Sequence, residues 1–160
     1  MKQKKIIGIT GGVGAGKSSV LAVLKNDFGA KIILADLVAH DLMEPGSLGL
    51  RKVTEALGTS FLTPDGAVDR KALADLIFRD KEALKTMNSI IHPLVWKTMK
   101  EEAEAASENL VIIEAAVFDT APKNFFDELW YVYTTKENRI VRLMENRGYS
   151  REKCEDIIGR

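Results

Sequence analysis

Eight residues near the start of the chain, Gly11-Gly12-Val13-Gly14-Ala15-Gly16-Lys17-Ser18, constrain the fold more than any other segment. They fit the pattern G-x-x-x-x-G-K-[ST] in full. A short apolar run from Lys5 to Thr10 precedes the motif, and apolar residues at helical spacing follow it. The motif is therefore predicted to join a buried strand to a helix. In that context a glycine-rich loop binds phosphate through its backbone N–H groups and the positive end of the helix dipole.

The residue types in this loop predict binding of ATP with Mg²⁺. Lys17 supplies a point charge to the β- and γ-phosphates, and the Ser18 hydroxyl coordinates the metal ion. The alternatives are a glycine-rich turn with an incidental lysine, or a dinucleotide-binding loop, which has a different glycine spacing and no role for Lys17. We assign nucleotide binding to the whole loop and the residue after it: Gly11, Gly12, Val13, Gly14, Ala15, Gly16, Lys17, Ser18 and Ser19.

The rest of the chain alternates apolar runs with helical patterns, which predicts an α/β fold with a parallel sheet. Further strands are predicted at 30–35, 109–114 and 129–134, and helices at 16–27, 136–146 and 151–160. Between them lies a mostly helical segment with a turn at Pro64-Asp65-Gly66 and a helix capped by Asp69. In this segment Pro93 is predicted to begin a new helix or to kink the existing one.

These patterns predict one domain with three parts. Residues 1–36 and 109–135 form the nucleotide-binding core, 37–107 a helical lobe, and 136–160 a lid. Lys and Arg number 23, as do Asp and Glu, so charge does not favour nucleic acid or a membrane surface as the partner. One cysteine and no apolar stretch of about 20 residues predict a cytoplasmic protein without a membrane span. The oligomeric state does not follow from the sequence.

Asp36 is the candidate general base. It follows the second predicted strand, and ligands bind at the carboxyl ends of strands in open parallel sheets. A carboxylate there can accept the proton of a substrate hydroxyl as the γ-phosphoryl group is transferred. The position alone is equally compatible with a helix cap, and one residue can serve both purposes.

Other charged residues leave two interpretations open. Glu114 ends the third predicted strand and either faces magnesium through water or is a surface acid. A basic run near the C-terminus either forms a helical lid that stabilises transition-state charge or is a solvated helix face. That run comprises Arg139, Arg142, Arg147, Arg151 and Arg160. His92, alone before Pro93, is by itself typical of a structural histidine.

Several segments together resemble the dephospho-coenzyme A kinase family, in order along the whole chain. The first is Thr10-Gly-Gly-Val-Gly-Ala-Gly-Lys-Ser18. The others are Ile33-Leu-Ala-Asp36 with Glu44-Pro-Gly46, Asp65-Gly-Ala-Val-Asp-Arg70, Ile91-His-Pro-Leu94 and Arg142-Leu-Met-Glu-Asn-Arg147. The resemblance rests on the order and spacing of these segments taken together.

The resemblance implies transfer of the ATP γ-phosphoryl group to the ribose 3′-hydroxyl of dephospho-coenzyme A, the last step of coenzyme A synthesis. It implies Asp36 as the base, Lys17 as a catalytic cation, and Arg142 and Arg147 as lid arginines. Acceptor binding would involve Thr10, Asp36, Arg70 and His92. The implied fold is a five-stranded parallel sheet of the P-loop NTPase type, in three layers, with a helical acceptor-binding lobe and C-terminal lid helices.

The chain departs from the family pattern at three places. Leu34 stands where the family usually has an aspartate two residues before the base, and Glu114-Ala-Ala-Val117 replaces Pro-Leu-Leu. Family members also continue beyond the position of Arg160 through another strand and helix. Two other functions are compatible with the sequence: a kinase for another small acceptor such as a nucleoside or nucleotide, and a nucleotide-binding fragment without turnover.

Overall fold

A computed structural model describes residues 4–159, in which strands and helices alternate along much of the chain. Arg160 lies outside the described residues. The strands of the described part are β1 (Lys5–Gly11), β2 (Lys31–Leu34), β3 (Leu110–Glu114) and β4 (Glu128–Val132). Its helices are α1 (Lys17–Asn26), α2 (Ala35–Asp41), α3 (Leu48–Leu57), α4 (Arg70–Arg79), α5 (Lys81–Ala105), α6 (Lys136–Arg147) and α7 (Arg151–Gly159).

The strands of the described residues form one sheet in the order β2-β3-β1-β4. Strand β1 pairs in parallel with both β3 and β4, with Ile9 opposite Glu114 and Trp130. The predicted α/β class with a parallel sheet is confirmed. Residues 4–159 contain four strands, one fewer than the resemblance implies. Because β1 lies inside the sheet, the segment that follows it leaves from the middle of the sheet rather than from an edge.

The chain divides into two compact units, the first of which contains residues up to Ile33 and from Ala105 onward. Its core forms on one face of the sheet. Side chains two residues apart on a strand, such as Ile7 and Ile9 of β1, point to the same face. Both are buried and pack with Ile112 of β3 and Leu24 of α1. This cluster holds α1 on the sheet and so fixes the direction in which the loop before α1 runs.

The second unit, Leu34–Glu104, is helical. Side-chain caps define where its helices begin: the Ser47 hydroxyl accepts from the Leu50 N–H, and the Asp69 carboxylate accepts from the N–H groups of Lys71 and Ala72. The Asp69 cap confirms the sequence prediction for α4. Buried side chains of this unit include Val53, Phe61 and Met99.

The predicted Asp36 cap is wrong, and for Pro93 one of the two predicted alternatives is excluded. Asp36 does not cap α2, because the helix begins at Ala35 and Leu34 is the N-cap residue. Asp36 lies in the first turn of α2 instead, where its negative charge interacts favourably with the positive end of the helix dipole. Pro93 does not begin a new helix, because α5 runs through it from Lys81 to Ala105. Proline removes one intrahelical hydrogen bond, and the buried residues on both sides of Pro93 keep the helix continuous.

Helices α6 and α7 form a small cluster of their own at the end of the first unit. Ile140, Leu143 and Cys154 are buried together, and Gly148 ends α6 in a left-handed conformation with φ of 62°. The Arg151 guanidinium donates two hydrogen bonds to the Glu137 carboxylate, at 3.0 and 2.6 Å. Apolar packing and this pair together hold α7 against α6. None of the helices in residues 4–159 is long and apolar enough to cross a membrane.

The Glu137–Arg151 pair predicts a pH-dependent contribution to stability. The Arg151 hydrogen bonds lower the pKa of Glu137. A carboxylate with a lowered pKa in the folded state stabilises it above the unfolded-state pKa, about 4.3. That contribution is lost as the pH falls through the folded-state pKa. We expect Glu137→Gln to lower the Tm slightly at neutral pH, with the difference from wild type disappearing in acid.

Thermal melts across the acid range test this expectation. Glu145→Gln is the matched control, since Glu145 is an exposed acid on the same helix. A Tm difference for Glu137→Gln that stays constant across the pH range would contradict the prediction.

Candidate functional site

The glycine-rich segment joins β1 to α1 at the centre of the sheet. Two of its glycines have backbone conformations that other residues rarely adopt: Gly14 with φ of 77° and Gly16 with φ of 99°. Gly16 is the N-cap residue of α1, so the helix begins at Lys17. The N–H groups of the first turn have no intrahelical acceptor and are available to an anion. The strand–loop–helix arrangement predicted from the motif is confirmed.

Lys17 lies against the beginning of its own loop. Its Nζ donates hydrogen bonds to the carbonyl oxygens of Gly11, at 2.5 Å, and Gly12, at 3.4 Å. The ammonium group is therefore held over the loop rather than extended into solvent. This places a cation beside the loop where phosphate oxygens would lie.

Helix α6 contacts the next part of the loop through two arginines. Arg139 Nε donates to the Val13 carbonyl at 2.7 Å. Arg142 Nη1 donates to the carbonyls of Ala15 at 3.1 Å and Gly14 at 3.4 Å. The carbonyl oxygens of residues 11–15 thus all accept hydrogen bonds from cationic side chains. With the carbonyls occupied in this way, the loop can present N–H groups to a ligand.

The remaining predicted residues near the loop differ in their contacts. Ser18 is exposed, and its hydroxyl has no hydrogen-bond partner among the described residues. Ser19 lies beside Val23 on an apolar groove. The Thr10 hydroxyl donates to the Ala116 carbonyl at 2.9 Å, which ties the end of β1 to the segment after β3. Glu114 ends β3 and is partly buried.

The other four predicted residues lie on helices α2, α4, α5 and α6. Arg147 ends α6, is exposed, and makes no ion pair or hydrogen bond with the loop. The other three belong to the helical unit. Asp36 is exposed in the first turn of α2, Arg70 is the exposed first residue of α4, and His92 is half-buried on α5.

Arg139 is the residue whose position the sequence did not reveal. It belongs to the basic run, yet nothing in the sequence distinguishes it from Arg147 or Arg151. The available signal is its spacing from Arg142, since residues three apart share a helix face. That signal becomes informative only once α6 is known to pack on the loop.

The metal prediction depends on Ser18 and on phosphate oxygens, not on a carboxylate cage. Within residues 4–159 there is no group of three or more His, Cys, Asp or Glu side chains that could hold a metal ion. The exposed Ser18 hydroxyl is compatible with the way a phosphate-binding loop helps to hold Mg²⁺, through one hydroxyl and the nucleotide.

Comparison with known proteins assigns the family. The dephospho-CoA kinase family model matches residues 5–160. The chain belongs to the dephospho-CoA kinase family. It is 36% identical over 153 residues to the dephospho-CoA kinase of Carboxydothermus hydrogenoformans, covering 93% of this chain and 74% of that protein. It is 39% identical over 158 residues to that of Moorella thermoacetica, covering 96% and 74%.

Solved structures agree with the fold of a dephospho-CoA kinase. A crystal structure of a protein from Thermus thermophilus has a TM-score of 0.74 at 30% identity, over 97% of this chain and 78% of that one. Dephospho-CoA kinase from Campylobacter jejuni has a TM-score of 0.67 at 24% identity, over 98% and 80%. At that identity the second comparison shows the fold alone.

The packing of the loop on α6 predicts a strong effect of Gly14→Ala. A Cβ at Gly14 would lie 3.0 Å from the Arg139 carbonyl oxygen and 3.2 Å from Leu143 Cγ, and the backbone has positive φ. We expect a loss of about 2–3 kcal/mol in the free energy of unfolding from strain and overpacking together, and weaker ATP binding. Denaturant unfolding and nucleotide titration measure the two effects.

Gly46→Ala is the control for backbone strain alone. Gly46 has φ of 83°, but a Cβ there would meet no atom within 4 Å. We expect a loss of about 1 kcal/mol and unchanged ATP affinity. Equal losses in the two variants would show that packing of the loop on α6 contributes nothing.

Proposed function

We propose that this chain transfers the γ-phosphoryl group of ATP to the ribose 3′-hydroxyl of dephospho-coenzyme A, giving coenzyme A and ADP. The observation that carries the proposal is a phosphate-binding loop with its carbonyls held by Lys17, Arg139 and Arg142, in a chain of the dephospho-CoA kinase family. A cytoplasmic location suits this substrate and the single, buried Cys154.

In the proposed reaction the loop binds the phosphates and the cations stabilise the charge that develops on transfer. The N–H groups before and within the first turn of α1 donate to phosphate oxygens. Lys17 interacts with the β- and γ-phosphates, and Arg142 stabilises the transferring group from α6. Arg147 is proposed as a second lid arginine, on the family resemblance alone. The Ser18 hydroxyl would help to hold Mg²⁺, which would supply positive charge at the phosphates.

Asp36 is the proposed general base. Its carboxylate accepts the proton of the 3′-hydroxyl as the oxygen–phosphorus bond forms and the bond between the γ-phosphorus and the β–γ bridging oxygen breaks. The support is its position two residues after β2, its exposed side chain and the family match. Arg70 and His92, in the helical unit, and Thr10, at the end of β1, are proposed to bind the acceptor.

The experiment that tests this function is phosphoryl transfer from ATP and Mg²⁺ to dephospho-coenzyme A. For Asp36→Asn we expect a fall in kcat of about 10²–10⁴-fold with ATP affinity retained, because an amide cannot take up the proton. Asp41→Asn removes another exposed acid from the same helix and should leave kcat unchanged.

Each alternative predicts a different result from the same assay. Transfer to a nucleoside or nucleotide, but not to dephospho-coenzyme A, would show a kinase with another acceptor. ATP binding without transfer to any acceptor would show a nucleotide-binding protein without turnover. Either result overturns the proposed substrate.

Arg142→Gln tests the proposed role of α6 in the chemical step. Removing a charged donor that acts on the transferring group should lower kcat by about 10²-fold or more. Steady-state kinetics with both substrates saturating measures this loss. An unchanged kcat with a raised KM for ATP would show instead that Arg142 only holds the loop.

A further inference from the structure

The space beside Gly12 is filled by the guanidinium group of Arg139. Gly12 does not have a positive φ, so its backbone conformation does not itself require glycine. A Cβ at this position would lie 2.6 Å from Arg139 Cζ, closer still to Nη2, and 3.0 Å from Nη1. The atoms nearest to that position all belong to Arg139. Glycine at position 12 therefore leaves room for an arginine that comes from a different part of the chain.

Arg139 makes a directional contact with the next residue of the loop. Its Nε donates to the Val13 carbonyl at 2.7 Å, across 126 positions of sequence. Within residues 4–159 this carbonyl accepts from Arg139 alone, whereas Arg142 is shared between the carbonyls of Gly14 and Ala15. The Val13 peptide is therefore oriented by one side chain.

The helix that presents Arg139 is well anchored. Leu143, one turn further along α6, is 3% exposed and packs with Ile140 and Cys154. A Cβ at Gly14 would meet both the Arg139 backbone and Leu143, which shows how closely the loop approaches this face of α6. Packing thus holds the helix backbone at Arg139, and the loop accepts a hydrogen bond from its guanidinium.

We propose that Arg139 is a positioning residue for nucleotide binding: by holding the Val13 carbonyl on α6 and covering Gly12, it orients the loop so that its N–H groups face the phosphates. This proposal rests on the nucleotide site proposed above and adds a residue that acts through the loop. Because Arg139 acts through the loop backbone and not on the transferring group, we expect it to support the bound ground state and the transition state alike, which changes affinity and not the chemical step.

Nucleotide titration without acceptor is the first test. We expect Arg139→Gln to raise the Kd for ATP about tenfold, because the substitution removes a hydrogen bond from a charged donor. We expect the KM for ATP to rise similarly with kcat within about twofold of wild type, and Arg139→Lys to recover part of the affinity. Lys136→Gln removes an exposed cation from the same helix and should leave the Kd unchanged. Far-UV circular dichroism and Tm confirm that each variant is folded.

A double-mutant cycle gives the second test and does not depend on Arg139→Gln alone. Gly12→Ala should displace the flexible end of Arg139 and raise the Kd for ATP by a similar factor. In the Arg139→Gln background the shorter side chain leaves space for the new methyl group, so Gly12→Ala should add less than about a further twofold.

The outcomes separate this inference from the proposed function. If wild type binds and uses ATP while Arg139→Gln has an unchanged Kd, or if the two substitutions act additively, the role of Arg139 is overturned and the kinase activity stands. A large fall in kcat with an unchanged KM would also overturn it, since Arg139 would then touch the reacting group. If wild type does not bind ATP, the proposed function fails and this inference fails with it.

Discussion

The arrangement of the loop depends on which groups donate hydrogen bonds to its carbonyl oxygens. The carbonyl and the N–H of a peptide group point in opposite directions, so hydrogen bonds to the carbonyls help to fix the direction in which the N–H groups point. In residues 11–15 each carbonyl accepts from a cationic side chain: Lys17 for the first two, Arg139 for the third, and Arg142 for the last two. The second, that of Gly12, also accepts from the Ala15 N–H at 3.0 Å. The three positive charges on the carbonyl side thus help to orient the N–H groups that would bind an anion.

The same contacts explain why the end of the chain matters to a site at its beginning. Arg139 and Arg142 come from α6, more than 120 residues after the loop, and α6 is positioned by its buried contacts with Cys154 of α7. The Arg151–Glu137 pair adds a second connection between the two helices. A change in α7 that touches neither nucleotide nor loop can therefore alter the site through α6.

Much of the local structure follows from short-range rules that the sequence displays. The Asp69 carboxylate caps α4, Gly148 ends α6, and the apolar run before the motif forms β1, because caps, left-handed glycines and strand periodicity depend on neighbouring residues. The Asp36 cap and a new helix at Pro93 are absent for the same reason. Asp36 and Pro93 carry strong local preferences, but the helix start at Ala35 and the buried face of α5 outweigh them.

For the candidate site, the sequence by itself determined the chemical type: the Gly11–Ser18 motif specifies a phosphate-binding loop, because glycine spacing, lysine and serine act within one strand–loop–helix segment. It also identified the family, through segments spread along the whole chain. Only the tertiary structure decided which members of the basic run meet the loop. Arg139 and Arg142 contact it and Arg147 does not, because that choice depends on the face that α6 turns toward the loop, which is set by the packing of Ile140, Leu143 and Cys154.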